Sequence, residues 1–124
     1  MELVQYFAGT RVTIHVMDCG SKHDVQPILD ELEASGNRDY KQMLALWERT
    51  AEHGVIWNDF KTKRLTKHIN EFKARGGLRV LWFFDEPGNS IIICTHAFVK
   101  KQQETPRGEI DRAEERRVLY LKAR

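Results

Sequence analysis

The amino-acid sequence predicts an α+β domain with the element order β-α-α-β-β-β-α, an antiparallel sheet with its helices packed on one side. Three observations predict it. Apolar residues alternate along residues 11–16 and again along Leu78–Phe84, the period of half-buried strands. Between them the period lengthens, with Val25, Ile28, Leu29 and Leu32 and then Tyr40, Met43, Leu44, Trp47 and Ala51 recurring at helical spacing. The links between the last three apolar segments are short enough for a meander.

The first strand carries Val12, Ile14 and Val16 on one face and Arg11, Thr13 and His15 on the other, and Gly20 breaks it. Ser21 and Asp24 have the S-x-x-D form of a helix-capping box, while Pro27 favours a start near Asp24 or Gln26. Gly36 stops that helix. The second helix begins near Asn37, and Gly54 suits the position just past its end. Residues 58–68 are polar and basic and read as an irregular connection, followed by a short alternating strand over 69–73. Leu78–Phe84 places Leu78, Val80, Trp82 and Phe84 on one face and Arg79, Leu81 and Phe83 on the other. Residues 85–89 (Asp-Glu-Pro-Gly-Asn) are a strong turn signal, and the nearly continuous apolar run Ile91–Val99 fits a strand covered on both faces. Pro106 opens a last helix with acidic residues early and basic ones late, the order its dipole favours. No repeat or low-complexity linker divides the chain, so residues 1–124 read as one domain.

Composition narrows the function. The chain is 41% apolar and 31% charged, as in ordinary globular domains. No apolar run approaches the roughly 20 residues of a membrane span, and the N-terminus lacks the pattern of a secretory signal. Cys19 and Cys94 form no C-x-x-C pair, so two free thiols in the cytoplasm are expected, with Cys94 in the core. The net charge of +2 conceals an asymmetry: residues 1–60 carry 5 Lys/Arg against 10 Asp/Glu, whereas residues 61–124 carry 15 against 8. Within 61–84 the cations Lys61, Lys63, Arg64, Lys67, Lys73, Arg75 and Arg79 precede any acidic residue but Glu71. A bias of this kind fits a polyanionic partner, and a solvated charged face is its bland competitor.

No His/Cys spacing for a metal and no Gly-rich phosphate loop occurs, so neither metal nor cofactor is expected. Gly76-Gly77 reads as a turn. Lys73, Arg75 and Arg79 bracket it, and Lys100-Lys101 follows the next strand, so these cations converge if the strands are neighbours. Such a cluster suits RNA cleavage by the substrate's own 2′-hydroxyl, in which cations stabilise the pentacovalent phosphate and a Lys, His or Arg moves protons. A basic sheet that binds RNA without cutting it has the same signature.

Four segments carry a resemblance. Leu65-x-x-x-Ile69-Asn70-Glu71-Phe72-Lys73, Arg79-Val80-Leu81, His96-Ala97-Phe98-Val99-Lys100-Lys101 and Thr105-Pro106…Glu109-Ile110…Ala113…Arg116 occur in order over roughly residues 55–120. Together they resemble the RelE/HigB toxin superfamily, and more closely its phage-derived, HigB-like branch. Asn70 and Ala97 depart from that pattern, which has an aromatic and a glycine there. The resemblance implies the toxin of a type II toxin–antitoxin pair, an endoribonuclease that cuts mRNA on the ribosome and is silenced by an antitoxin, often a helix-turn-helix protein. It implies Arg79 as phosphate or transition-state stabiliser, Lys73 where the family usually has Arg, and His96 as acid or base, with a packed core histidine as its competitor. It implies Lys100 and Lys101 as RNA or ribosomal-RNA contacts. The stretch from Lys61 through Lys63 to Arg64 is more basic than that pattern requires, and with Lys67 and Arg75 it is expected from its charge to meet a large polyanion such as ribosomal RNA. Tyr120 reads as packing. Two alternatives stay open: a ParE-like toxin acting on DNA gyrase without nuclease chemistry, and an inactive relic that binds nucleic acid or a partner.

Overall fold

A computed structural model of the chain describes residues 1–102 and 104–124. The elements run β1 (Glu2–Ala8), β2 (Thr13–Asp18), α1 (Val25–Ala34), α2 (Arg38–His53), β3 (Thr62–Arg64), β4 (Asn70–Lys73), β5 (Leu78–Phe84), β6 (Ile91–Val99) and α3 (Arg107–Ala123). The strands form one six-stranded sheet in the order β1-β2-β6-β5-β4-β3. The α+β class, the three helices and the β4-β5-β6 meander are those expected. The sheet is mixed, however: β2 pairs parallel with β6, Thr13 opposite Ile91 through Val16 opposite Cys94. That pairing follows from the crossover through α1 and α2, which returns the chain to the far side of the sheet.

Two strands escape the periodicity. β1 is an edge strand exposed over Glu2–Gln5 and bulged beyond it, so its apolar residues do not alternate. β3 is only three residues long and lies within the connection expected to be irregular. The helix ends behave as their glycines require: Gly36 and Gly54 take φ of +71° and +90°. Asn37 caps α2 by accepting from the Asp39 amide at 2.8 Å. Asp24 occupies the cap position of α1 without capping it. Its Oδ2 accepts instead from the amides of Cys19 and Ser21, at 2.9 and 3.1 Å.

Alternation along β5 splits the interior into two cores. Val80 and Trp82 join Ile14, Phe72, Met43 and Trp47 beneath α1 and α2. Leu81 and Phe83 join Met17, Ile93, Ala113 and Tyr120 beneath α3. Burying each such large apolar side chain contributes roughly 1.5–3 kcal/mol before entropy is counted. The helices expected on one side are α1 and α2; the face expected to be open is covered at one end by α3. Tyr120 packs as expected, its ring 5.5 Å from that of Phe83 and its hydroxyl donating to Asp85 at 2.6 Å.

A bulge in β6 overturns one expectation of facing. Leu81 stands opposite His96 while Trp82 stands opposite Cys94, so Thr95 is an extra residue. Simple alternation puts Cys94, His96 and Phe98 on one face. The inserted residue reverses the parity, leaving Cys94 in the first core and turning His96 and Phe98 toward α3.

Candidate nucleic-acid interface

The site is built around the Gly76-Gly77 turn between β4 and β5. Asp39 on α2 is buried and accepts from the amides of Gly76 and Leu78 at 2.9 and 3.0 Å. Gln42 Oε1 accepts from the Arg75 amide at 2.9 Å. On the other side the Lys100 amide donates to the Gly77 carbonyl at 2.7 Å. Gly77 has φ +113°, and a Cβ there would lie 2.7 Å from the Lys100 carbonyl oxygen. Only glycine permits this approach. The turn thus joins the ends of β4, β5 and β6 and carries their cations together.

Register fixes which cations meet. Lys63 lies opposite Glu71, and Lys73 opposite Arg79. By the two-residue period of strands all four share the α3 side of the sheet, beyond the reach of the helix. Arg79 is held from beneath, its Nη1 donating to the carbonyls of Ala74 (2.7 Å) and Leu78 (3.0 Å). Its Nε has no hydrogen bond and lies 3.8 Å from Glu71 Oε1. Glu71 is itself buried and accepts a hydrogen bond from the Thr105 hydroxyl. Lys73 Nζ donates to the Asp59 carbonyl at 2.7 Å. Burial lowers the Lys100 pKa, and the positive charges of Arg79, Lys73 and Lys63 lower it further against the opposing pull of Glu71. Four cations therefore gather near one buried carboxylate, a surplus of positive charge that suits an anion. Among the cations of the described residues, only Arg79 comes within 4 Å of that carboxylate.

Beside them opens a cleft of 740 Å³ lined by Lys61, Lys73, Arg75 and Arg79, by Arg49 from α2, and by Asn58, Asp59 and Phe60. Asp59 is the one acidic residue in that lining. Among the described residues no group of three or more His, Cys, Asp or Glu side chains is placed to hold a metal ion. No helix described is long and apolar enough to cross a membrane.

Residues 29–118 match the model of the family described as phage derived protein Gp49-like (DUF891). The chain belongs to this family. The family is associated with RelE-like toxins of toxin–antitoxin pairs. No curated protein matches the chain. The Gp49-like match begins inside α1, runs into α3, and contains the whole cationic cluster.

Within this Gp49-like frame the expected site residues separate into groups. Lys61, Lys63, Lys73, Arg75, Arg79 and Lys100 gather around the turn and its cleft. Arg64 and Lys67 do not. The Arg64 guanidinium folds back onto the carbonyls of Thr66 (3.3 Å) and Lys67 (3.0 Å). Both residues line a second cleft of 510 Å³ with Arg11, His68, Arg117 and Trp57. The basic strip over 61–67 is thus divided, with Lys61 lining the first cleft and Arg64 and Lys67 the second; within β3 itself, Lys63 and Arg64 face opposite ways as successive strand residues. Lys101 is exposed beyond β6 and lines neither cleft.

His96 is corrected. The ring is fully buried, with Nδ1 2.9 Å from Thr95 Oγ1 and Nε2 3.1 Å from Glu109 Oε1. A neutral ring satisfies both contacts, accepting from the Thr95 hydroxyl and donating from Nε2 to Glu109. Burial, and then the charges of Arg116 and Arg112, push its pKa down to about 3. His96 ties β6 to α3 and is not placed to exchange protons with a bound phosphate.

Three site residues were not among the sequence candidates. Arg49 lies on the polar side of α2, and nothing local connects it with β4. Glu71 showed only as the lone acidic residue of a basic segment, although its parity with Lys73 already put the two on one face. Phe60 sits in a polar connection where a single aromatic carries no pattern.

Proposed function

We propose that this Gp49-like protein is the toxin of a type II toxin–antitoxin pair and cleaves mRNA on the translating ribosome. The observation that carries the reading is the cluster of Lys63, Lys73, Arg79 and Lys100 around the one buried carboxylate of Glu71. The narrower HigB-like assignment rests on the four sequence segments and belongs to the same proposal.

In this mechanism the RNA 2′-oxygen attacks the adjacent phosphorus and loses its proton, and the 5′-oxygen leaves with a proton. The products are a 2′,3′-cyclic phosphate and a 5′-hydroxyl. Arg79 meets the charge that grows on the non-bridging oxygens; its anchored guanidinium needs no rearrangement as that charge develops. Lys73, tethered to the 58–60 segment, adds a point charge beside it. Lys100, whose pKa is lowered by burial and by its cationic neighbours, is the group best suited to move a proton. Lys61, Lys63 and Arg75 hold the flanking backbone, and Lys101 reaches ribosomal RNA. The ribosome supplies the message in the cytoplasm, and a helix-turn-helix antitoxin silences the protein by covering the cluster.

Induced expression in a bacterial host, with transcript 5′ ends mapped while translation of one message is switched on or off, tests the reading. New ends inside translated codons are the expected result. Growth arrest with intact messages and damaged DNA would overturn it in favour of a gyrase poison. Growth unaffected by the wild-type chain would leave the relic.

A further inference from the structure

The 58–61 turn presents an aromatic ring to solvent at the lip of the cationic cleft. Phe60 is 89% exposed, the most exposed large apolar residue described. A lone exposed ring on a slack loop is ordinary, but this loop is fastened. Asn58 Oδ1 accepts from the amides of Phe60 (2.9 Å) and Lys61 (3.1 Å), and the Asn58 carbonyl accepts from Thr62 at 2.9 Å. Lys73, itself in the cationic cluster, clamps the Asp59 carbonyl. The ring is therefore held in position while its faces are left bare.

Trp57, on the other side of the turn, is 53% exposed and lines the second cationic cleft. One of its faces rests on Trp82, the ring centroids 6.0 Å apart and the planes inclined at 31°. Cations that neutralise phosphates, interleaved with bare aromatic faces, are what an unpaired nucleic-acid strand requires; a duplex hides its bases from such rings.

We infer that Phe60 is a base-stacking platform for single-stranded RNA, with Trp57 a second one, on a path leading from the first cleft past the β3 edge to the second. The inference rests on the RNA part of the proposed function and not on cleavage.

Purified protein titrated with a short single-stranded RNA containing 2-aminopurine, and with an abasic oligonucleotide of the same length, tests it. Phe60→Leu keeps an apolar side chain and removes the π-face; Phe60→Trp restores it. A stacked base is worth a loss of roughly five-fold to a hundred-fold in affinity on its removal. Phe60→Leu is expected to weaken RNA binding by that factor, to leave abasic binding unchanged, and to abolish the 2-aminopurine quench; Phe60→Trp is expected to restore both. Equal RNA binding by wild type and Phe60→Leu overturns the inference, even if the wild type cleaves mRNA. Weakened antitoxin binding with RNA binding intact also overturns it, assigning the ring to a protein partner. RNA binding that depends on Phe60 in a protein that never cleaves leaves the platform standing and removes the nuclease.

Discussion

Arg116, on α3, and Arg79, on β5, both point into the α3 side of the sheet, and they are treated very differently. Arg116 donates to the buried Asp24 at 2.6 Å and to the Thr95 carbonyl at 2.8 Å. Around it the polar groups are matched: His96 is neutral and bonded at both nitrogens, and Asp24 is held below the ordinary carboxylate range by Arg116 and two backbone amides in spite of its burial. Arg79 leans on carbonyls, stands 3.8 Å from Glu71 and has three lysines gathered near that carboxylate. Both guanidinium groups are largely buried, 11% and 13% exposed, so the difference lies in charge balance and not in cover. Where charge is balanced the contacts are structural; where cations are crowded, the fold carries a surplus of positive charge that an external anion would offset.

The contrast can be broken from either end. Arg116→Ala leaves Asp24 buried without its partner, and should cost about 3–5 kcal/mol of stability, read as a lower urea midpoint. Arg79→Ala should act mainly on function. Its stability loss should be smaller than that of Arg116→Ala, because the contact with Glu71 is 3.8 Å long and Glu71 keeps the Thr105 hydroxyl, while mRNA cleavage and growth inhibition fall by roughly a hundred-fold or more. Toxicity that persists in Arg79→Ala would remove that residue from the centre of the site.

Acid sharpens the comparison. Folded His96 stays neutral down to about pH 3, whereas in the unfolded chain it takes up a proton below its ordinary value of 6.5. Between those values the unfolded state binds more protons. The contribution is therefore complete above pH 6.5 and is lost as pH falls toward 3, at up to about 1.4 kcal/mol per pH unit. Urea titrations at pH 7 and pH 5 should show the loss in wild type and a shallower dependence in His96→Asn. An unchanged slope would mean that the ring is not held neutral in the fold.

The smallest effect is electrostatic. RNA affinity should fall with salt, and Lys73→Ala should reduce the slope of log K against log[salt] by about 0.7 if Lys73 contacts one phosphate of a single strand. Lys101→Ala should leave binding of a short oligonucleotide unaltered, since Lys101 lines neither cleft.

Much of this was legible in the chain. The strands Leu78–Phe84 and Ile91–Val99 and the stops at Gly36 and Gly54 match the sequence reading residue for residue, because strand alternation and αL caps are local properties. The convergence of Lys73, Arg75, Arg79 and Lys100 was legible too, given the short turn at Gly76-Gly77. β1 and β3 were hidden because an exposed edge strand and a three-residue strand bury too little to impose a pattern. Arg49 and Phe60 reach the site through space, and no spacing along the chain records that.

By itself, then, the sequence determined the α+β class, the faces of β5, the basic half of the molecule and the segments that carry the family. The tertiary structure decided the rest: the parallel seam of β2 with β6, the placing of α3 on the second face, and the extra residue at Thr95 that buries His96. It also decided which lysines of the basic strip meet Arg79 and which turn to the other cleft. The physical reason is range. Periodicity encodes what a residue does relative to its near neighbours, whereas strand partners, bulges and the gathering of four cations near one carboxylate depend on groups distant in sequence.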